Sequence, residues 1–413
     1  MTQQSNKNNI PKHWQVKKLG EVCQFTQGIQ IEVNKQKDYQ FENSVRFLRI
    51  IDFTQTGEPP RYIENPGYRY LLKKGEIAMV RYGTVGFVCI GKEGAIANNL
   101  FKINHNQEIN SKYLINFLQS LFFLSKLETK GATMQALSFG LIKPIPIPIP
   151  PLSEQLAIVS KIEELLSDLE NGKQQLLTAQ QQLKVYRQSL LKAAFEGRLT
   201  NKEVKNGELP VRWKQVNMSE LVEKPQYGTS KKCDHLSNGF GVLRIPNIAN
   251  GVVDCSDLKF AEFDSNEIEN YRLKEGDILT IRSNGSVDLV GKCALIQKKD
   301  EKFLYAGYLI KLRPKINQVL PKYLLNVLSS SNLRNQIENK AKSTSGVNNI
   351  NSEELKSLII PLCSILEQHQ IVEILESKLT VCDKIEETIS QSLQQAETLK
   401  QSILKKAFEG KLV

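Results

Sequence analysis

The 413-residue sequence predicts an α+β protein of two similar globular domains, each a mixed β-sheet with helices. Two long antiparallel helices forming a coiled coil separate them, giving approximate two-fold symmetry. Three observations lead there: a large internal repeat, a heptad pattern in both of its copies, and short β-branched runs broken by glycine turns between them.

The repeat comes first because it determines the architecture. AFEGRLT at 194–200 returns as AFEGKLV at 407–413. Shifted by 213 positions, residues 154–199 align without a gap on 367–412, and 17 of the 46 positions are identical. A period this long duplicates a large unit, whereas solenoid modules repeat every 20–50 residues or so.

Both copies read as long helices. In the first, Leu152, Val159, Leu166, Lys173, Gln180, Arg187 and Ala194 hold one seam position; Ile162, Leu169, Leu176, Leu183 and Leu190 hold the other. The second keeps the frame with Ile365, Val372, Leu379, Glu386, Leu393, Lys400 and Ala407, and with Leu375, Cys382, Ile389, Ala396 and Ile403. A sustained 3.5-residue period indicates a coiled coil. Ser364 with Glu367 forms a capping box, Ser153 with Glu154 opens the first helix, and Gly197 and Gly410 are natural stops. About 44 residues make a rod of roughly 65 Å. An antiparallel pair carries the chain out and back, so each AFEG phrase marks where a helix lands on a globule. The expected helix-pair and partner interface comprises Leu166, Lys173, Leu176, Leu183, Phe195, Leu379, Glu386, Ile389 and Phe408. Lys173 and Glu386 occupy equivalent seam positions where a polar pair would fix register. The resulting division is 1–150 and 201–360 for the globules, 151–200 and 361–413 for the helices.

The globules diverge but share landmarks. Pro11-Lys-His-Trp14 answers Pro210-Val-Arg-Trp213; Phe47-Leu-Arg-Ile50 answers Val242-Leu-Arg-Ile245. Lys74-Gly-Glu-Ile77 with Val80-Arg81 answers Glu275-Gly-Asp-Ile278 with Ile281-Arg282, and Lys112-Tyr-Leu-Ile-Asn116 answers Lys322-Tyr-Leu-Leu-Asn326. FVCIG (87–91) and GVLRI (241–245) read as strands, and 111–127 and 321–340 as helices. PIPIPIPP (144–151) cannot donate regular ladder bonds and reads as an extended arm leading into the rod.

Composition bounds the function. Lys plus Arg exceed Asp plus Glu by 55 to 44, a net charge of +11 that suits a polyanionic partner. No apolar run approaches the roughly 18 residues of a membrane span, and MTQQSNKNNIPKHW lacks a signal-peptide stretch, so a cytoplasmic protein without a membrane partner is expected. Seven cysteines without a C-x-x-C pair fit a reducing compartment.

The pattern resembles the specificity (S) subunit of type I restriction–modification systems. The residues that carry it are the P-x-x-W openings, GEIAMVRYGTVG (75–86), GDILTIRSNGSVDLVGK (276–292), IPIPPLSEQLAIVSKI (147–162) with its echo IIPLCSILEQHQIVEIL (359–375), and both AFEG endings. The resemblance implies two target-recognition domains that read a bipartite, asymmetric sequence in double-stranded DNA. It also implies two modification (methyltransferase) subunits and restriction (translocase/endonuclease) subunits as partners. S-adenosylmethionine, ATP and magnesium would then be bound by those partners, with no cofactor and no metal in this chain. The alternative is a non-catalytic coiled-coil scaffold whose paired globules bind proteins.

The residues present no catalytic constellation. Glu58-Pro-Pro-Arg-Tyr62 has one carbon too many, and Arg61 in place of the aromatic, for an adenine methyltransferase motif. Gly285 to Lys292 has five intervening residues and then Cys293 where a phosphate loop needs Ser or Thr. Cys233 and His235 lack further ligands at zinc spacing. For DNA contact, arginines and polar residues in glycine-flanked turns are expected: Arg81, Tyr82 and Thr84 in the first globule, Arg282, Ser283 and Asn284 in the second. Lys130, Lys231, Lys232 and Lys342 are expected at phosphates.

Overall fold

The computed structural model describes residues 10–127, 137–201, 203–205, 208–249, 251–341 and 346–413. They form two compact units: the chain up to Leu177 joins Ser390–Val413 in the first, and Thr178–Ile389 forms the second. The unit boundary passes through both long helices, Leu152–Phe195 and Ile365–Phe408. Each unit therefore holds the beginning of one helix and the end of the other. Among the described residues no helix is long and apolar enough to cross a membrane.

The first unit is built on two four-stranded sheets. One runs Cys23–Gln27, Leu100–His105, Ile77–Val80, Val88–Cys89, all antiparallel. Ile77–Val80 is buried along its whole length because alternate side chains meet different layers. Ile77 and Met79 join Tyr113, Leu114 and Phe117 of the helix Ser111–Leu118, while Ala78 and Val80 join Leu48, Leu72 and Ile96 of the other sheet. That second sheet runs Arg61–Glu64, Ser44–Leu48, Gly94–Ile96, Leu71–Leu72, with Ser44–Leu48 parallel to Gly94–Ile96.

The second unit repeats the plan. Its first sheet runs Gln226–Tyr227, Leu309–Leu312, Ile278–Ile281, Cys293–Leu295; its second runs Lys259–Ala261, Phe240–Leu243, Leu304–Tyr305, again with one parallel pair. Ile278 faces Tyr323 and Leu324, and Leu279 and Ile281 face Leu243 and Tyr305. The paired landmarks fall at the same places. Arg49 and Arg244 each end a parallel strand and cap a short helix, Ile50–Thr54 and Ile245–Ile248.

Two local expectations are corrected. Residues 146–149 form a strand, Pro146–Ile149, paired antiparallel with Gln15–Lys18. Proline occupies only every second position, so Ile147 and Ile149 keep their N–H groups for the partner strand and the prolines stand opposite Lys18 and Val16. Residues 111–127 and 321–340 are each two helices, Ser111–Leu118 with Leu121–Leu127 and Pro321–Ser329 with Ser331–Ala341. Ser120 and Ser330 break them, each hydroxyl bonding back to the carbonyl three residues earlier, Phe117 or Val327.

The ends of the long helices explain the repeated phrases. Gly197 and Gly410 have φ of 78° and 67°, and the Schellman bonds Arg198 N to Ala193 O and Lys411 N to Lys406 O close both helices. A Cβ on Gly410 would lie 2.3 Å from the Pro11 ring, and one on Gly197 2.3 Å from the Pro210 ring. AFEG and P-x-x-W recur together because each glycine lies against a proline ring. Phe408 meets Tyr113 and Phe117 edge-on at 5.2 and 5.3 Å; Phe195 meets Tyr323 at 5.4 Å.

Along the seam, Leu183 and Ile389 are buried and Leu166, Leu176 and Leu379 half-buried, whereas Leu152 is exposed. The register replaces the expected Lys173–Glu386 pair with two others. Lys173 pairs with Glu397 at 2.6 Å in the first unit, and Arg187 with Asp383 and Glu386 at 2.7 and 3.0 Å in the second. Both pairings are antiparallel. The capping box at the second helix is half formed: Ser364 Oγ accepts from Glu367 N, while the Glu367 carboxylate turns to Thr200 and Asn201.

Because the landing rings fill each unit's core, Phe408→Ala and Phe195→Ala should each cost about 3 kcal/mol or more. Trp14 and Trp213, one in each unit, allow a unit-by-unit check. In a Trp213→Phe background, Trp14 fluorescence should show Phe408→Ala lowering the denaturation midpoint and Phe195→Ala leaving it nearly unmoved. Equal shifts from both would mean that the rings do not belong to separate cores.

Candidate nucleic-acid interface

The two candidate arginines are mounted alike. Arg81 follows the buried strand Ile77–Val80 and donates its N–H to Asn99 O; Arg282 follows Ile278–Ile281 and donates to Tyr308 O, both at 2.8 Å. The turns close alike as well, Gly86 N on Val80 O and Gly291 N on Ile281 O. Between these bonds lie residues 81–85 in the first unit and 282–290 in the second, so the second turn is longer. Gly86 and Gly291 have φ of 83° and 76°, which favours glycine.

Each guanidinium is held by a hydrogen bond and a neighbouring tyrosine ring. Arg81 Nε donates to Leu137 O at 3.1 Å and its Cζ lies 5.2 Å from the Tyr82 ring centroid. Arg282 Nε donates to Asn349 Oδ1 at 3.1 Å and its Cζ lies 4.7 Å from the Tyr227 centroid. Such orientation lowers the entropy cost of a later contact, and the remaining guanidinium N–H groups form the fork that matches base edges and phosphates. Tyr82 and Thr84 are exposed, and Ser283–Asn284 pairs with Asn348–Asn349.

Other candidates are less available. Asn284 Oδ1 accepts from Ser286 N, so half of its amide is already engaged in the turn. Lys231 Nζ donates to Glu262 O and Glu267 Oε2, both at 2.7 Å, and lies over Phe263; the hydrogen bond from Lys231 also holds the Glu267 carboxyl below its ordinary range. Lys232 is exposed. Lys130 and Lys342 lie outside the described residues. The loop 285–292 leads into a strand, Cys293–Leu295, where a phosphate loop would open a helix. Cys233 Sγ bonds to Lys231 O, and His235 stands 3.4 Å from Asp257.

Three further arginines support the scaffold. Arg46 and Arg49 clasp the buried Asp52 at 3.1 and 2.9 Å, and Arg244 binds Asp257. In the second unit the place of Asp52 is taken by Asn247, which accepts the same backbone bond, from Arg244 N, without charge. On the helices, Leu166 and Lys173 line a groove of about 530 Å³ with Ile90, Ile115, Leu169 and Glu397, all in the first unit.

Asp52 makes the first unit acid-sensitive. Burial would raise its pKa, but hydrogen bonds from the Arg49 side chain and backbone and from Arg46 outweigh that and hold it below the usual carboxylate range. A group depressed on folding contributes its stability above the unfolded value, about 3.9, and loses it as pH falls through the folded value. The melting-temperature gap between wild type and Asp52→Asn should therefore be widest near pH 6 and narrow below about pH 4. A gap that does not change with pH would mean the charge contributes nothing.

Two copies of one two-sheet scaffold, each with an arginine-bearing turn and closed by the ends of long helices, define a duplicated α+β chain. Residues 11–179 and 210–395 match the type I restriction modification DNA specificity domain, and the chain belongs to that family. It is similar to the type I restriction enzyme EcoKI specificity subunit of Escherichia coli (strain K12), 33% identical over 310 residues, which cover 74% of this chain and 66% of that protein. The StySPI specificity subunit of Salmonella potsdam is 30% identical over 309 residues, again 74% of this chain and 66% of the relative. The chain thus spans just under two thirds of the length of these two relatives. The EcoBI specificity subunit of Escherichia coli is 26% identical over 424 residues, 98% of this chain and 87% of the relative. In fold, the chain resembles one from a structure concerned with complex assembly and conformational transition of the type I R-M system, with TM-score 0.76, 20% identity and coverage of 97% and 99%. It also resembles the HsdS subunit from Thermoanaerobacter tengcongensis, with TM-score 0.55, 19% identity and coverage of 99% and 100%.

Proposed function

We propose that the chain is the DNA-reading subunit of a type I restriction–modification complex, each unit recognising one half of a bipartite, asymmetric site in double-stranded DNA. One observation carries this reading: the same scaffold is built twice, and each copy mounts an arginine by the same backbone bonds on a turn of different length and sequence. A symmetric binder would repeat the turn as well as the scaffold. The net charge of +11 supplies the attraction to a polyanion.

In this reading the chain performs no chemistry. Two modification subunits carry S-adenosylmethionine, and restriction subunits carry ATP and magnesium. The relatives named as specificity subunits of restriction enzymes support that division of labour.

Binding of the full chain to duplex DNA should weaken steeply with salt, with a log–log slope of about −5 or steeper if several phosphates are neutralised at about −0.9 each. A slope near zero would remove the DNA reading. Arg81→Ala and Arg282→Ala should each reduce specific binding by about 1–3 kcal/mol, with the changed base preference confined to opposite halves of the site. Competition with duplexes altered in one half at a time would show whether the two units read independently.

A further inference from the structure

Beside each arginine-bearing turn lies a backbone clamp that is the same in both units. In the first, Gly28 N donates to Leu100 O, Ile29 N to Ile96 O and Leu100 N to Ala97 O, at 2.9, 2.9 and 2.8 Å. In the second, Gly228 N donates to Leu309 O, Thr229 N to Tyr305 O and Leu309 N to Ala306 O, at 3.2, 2.9 and 2.9 Å. Both glycines are required by close approach: a Cβ would lie 2.2 Å from Ala97 O in one clamp and 2.4 Å from Ala306 O in the other. The clamp also supplies the carbonyls, Asn99 O and Tyr308 O, that receive the backbone N–H groups of Arg81 and Arg282.

On this shared frame the outward side chains differ entirely. The first unit carries the exposed Gln30 and the half-buried Asn98; the second carries the exposed Ser230 and Tyr308, with Gly307 N bonded to Thr229 O. Ile29 and Ile31 pack against the cluster of Phe47, Ile63, Ala95 and Ala97, and Gln30 between them is exposed. Tyr308 is 61% exposed, an unusual position for a ring with no structural duty. A frame held by main-chain bonds accepts any side chain at these positions, which is what a surface that must differ between two half-sites requires.

We propose that this clamp is the base-reading element of each unit, and that the Gln30–Asn98 pair reads an adenine from the major groove; the inference rests on the DNA-reading function proposed above. Asn98 Nδ2 donates to Gln30 Oε1 at 3.2 Å. That bond leaves an amide donor on Gln30 beside a carbonyl acceptor on Asn98. Turning both amides over exchanges the roles and still leaves one donor beside one acceptor. Adenine presents the complement, the N7 acceptor next to the N6 amino donor. Guanine offers two acceptors, and neither pyrimidine offers both groups. At the equivalent positions the second unit carries Ser230, Gly307 and Tyr308 in place of the amides, and the ring and hydroxyl of Tyr308 read a different base.

The test is selection of bound sequences from duplexes randomised over both halves, using the full chain. Wild type should return a bipartite site. Gln30→Ala with Asn98→Ala should lose roughly ten-fold or more of the discrimination at one A·T pair, in one half only. Tyr308→Ala should alter the other half only. Should the double variant unfold, the single truncation of the exposed Gln30, Gln30→Ser, gives the same readout. A wild-type site that survives both sets of substitutions unchanged, or preferences lost across both halves together, would overturn the clamp. A wild-type chain that selects no sequence would overturn the DNA reading itself and this inference with it.

Discussion

Two buried amides, Gln155 and Gln368, hold each unit to its helix. Gln155 Nε2 donates to Glu108 O and Pro150 O, and its Oε1 accepts from Asn110 N; Gln368 repeats this with Gln318 O, Cys363 O and Leu320 N. Neither side chain has measurable exposure. A buried amide left unsatisfied costs about 1–3 kcal/mol per group, so these positions accept few other residues. They fix the start of the long helix to the loop that leads into the helix Ser111–Leu118 or Pro321–Ser329. The faces of those helices then receive Phe408 or Phe195. The start of one long helix and the end of the other are thus positioned by the same short helix. Tyr113 and Tyr323 complete the tie, each donating its hydroxyl to a carbonyl of the proline-containing strand, Pro148 O and Pro361 O, at 2.8 Å.

This arrangement delays the completion of the first core. Ile403, Leu404, Ala407 and Phe408 join Ile158, Val159 and Ile162 there, across more than 200 residues of chain. The second unit closes its core with Leu190, Leu191, Ala194 and Phe195 against Ile371, Val372 and Leu375, all inside one continuous stretch. The two units share a plan but differ in how much of the chain must exist before each can close.

Much of this was legible in the sequence, and the parts that were not have physical reasons. The repeat, the paired helices and the AFEG landings follow from identities that packing enforces: glycine where a proline ring and positive φ leave no alternative, glutamine where three bonds converge. Proline's missing donors suggest an arm at 144–151, but they recur with a period of two and leave Ile147 and Ile149 free to pair. Lys173 and Glu386 were paired by sequence equivalence, whereas cross-helix register is a property of two helices together and appears in neither alone. The pairing of Lys231 with Glu267, 36 positions away, has no local signal in the sequence. The clamp beside the arginines has no local signature for the same reason: main-chain bonds join distant segments whose side chains are free to differ.

The differences between the units show which bonds can change without cost to the plan. Trp14 Nε1 donates to Glu154 at 2.9 Å, but Glu367 serves Thr200 and Asn201 instead, and Trp213 Nε1 is buried with no partner among the described residues. The carboxylate of Asp52 becomes the amide of Asn247, and the carboxylate before the central strand changes partner, Glu76 pairing with Lys102 in the first unit and Asp277 bidentately with Arg313 in the second. In each case side-chain chemistry has drifted while the main-chain bonds beneath it persist. A scaffold whose shape is set by backbone hydrogen bonds, buried amides and close glycine contacts does not depend on its surface residues for folding. That independence lets one plan serve two different recognition surfaces in a single chain, and it makes the exposed residues on the most rigid backbone the strongest candidates for recognition.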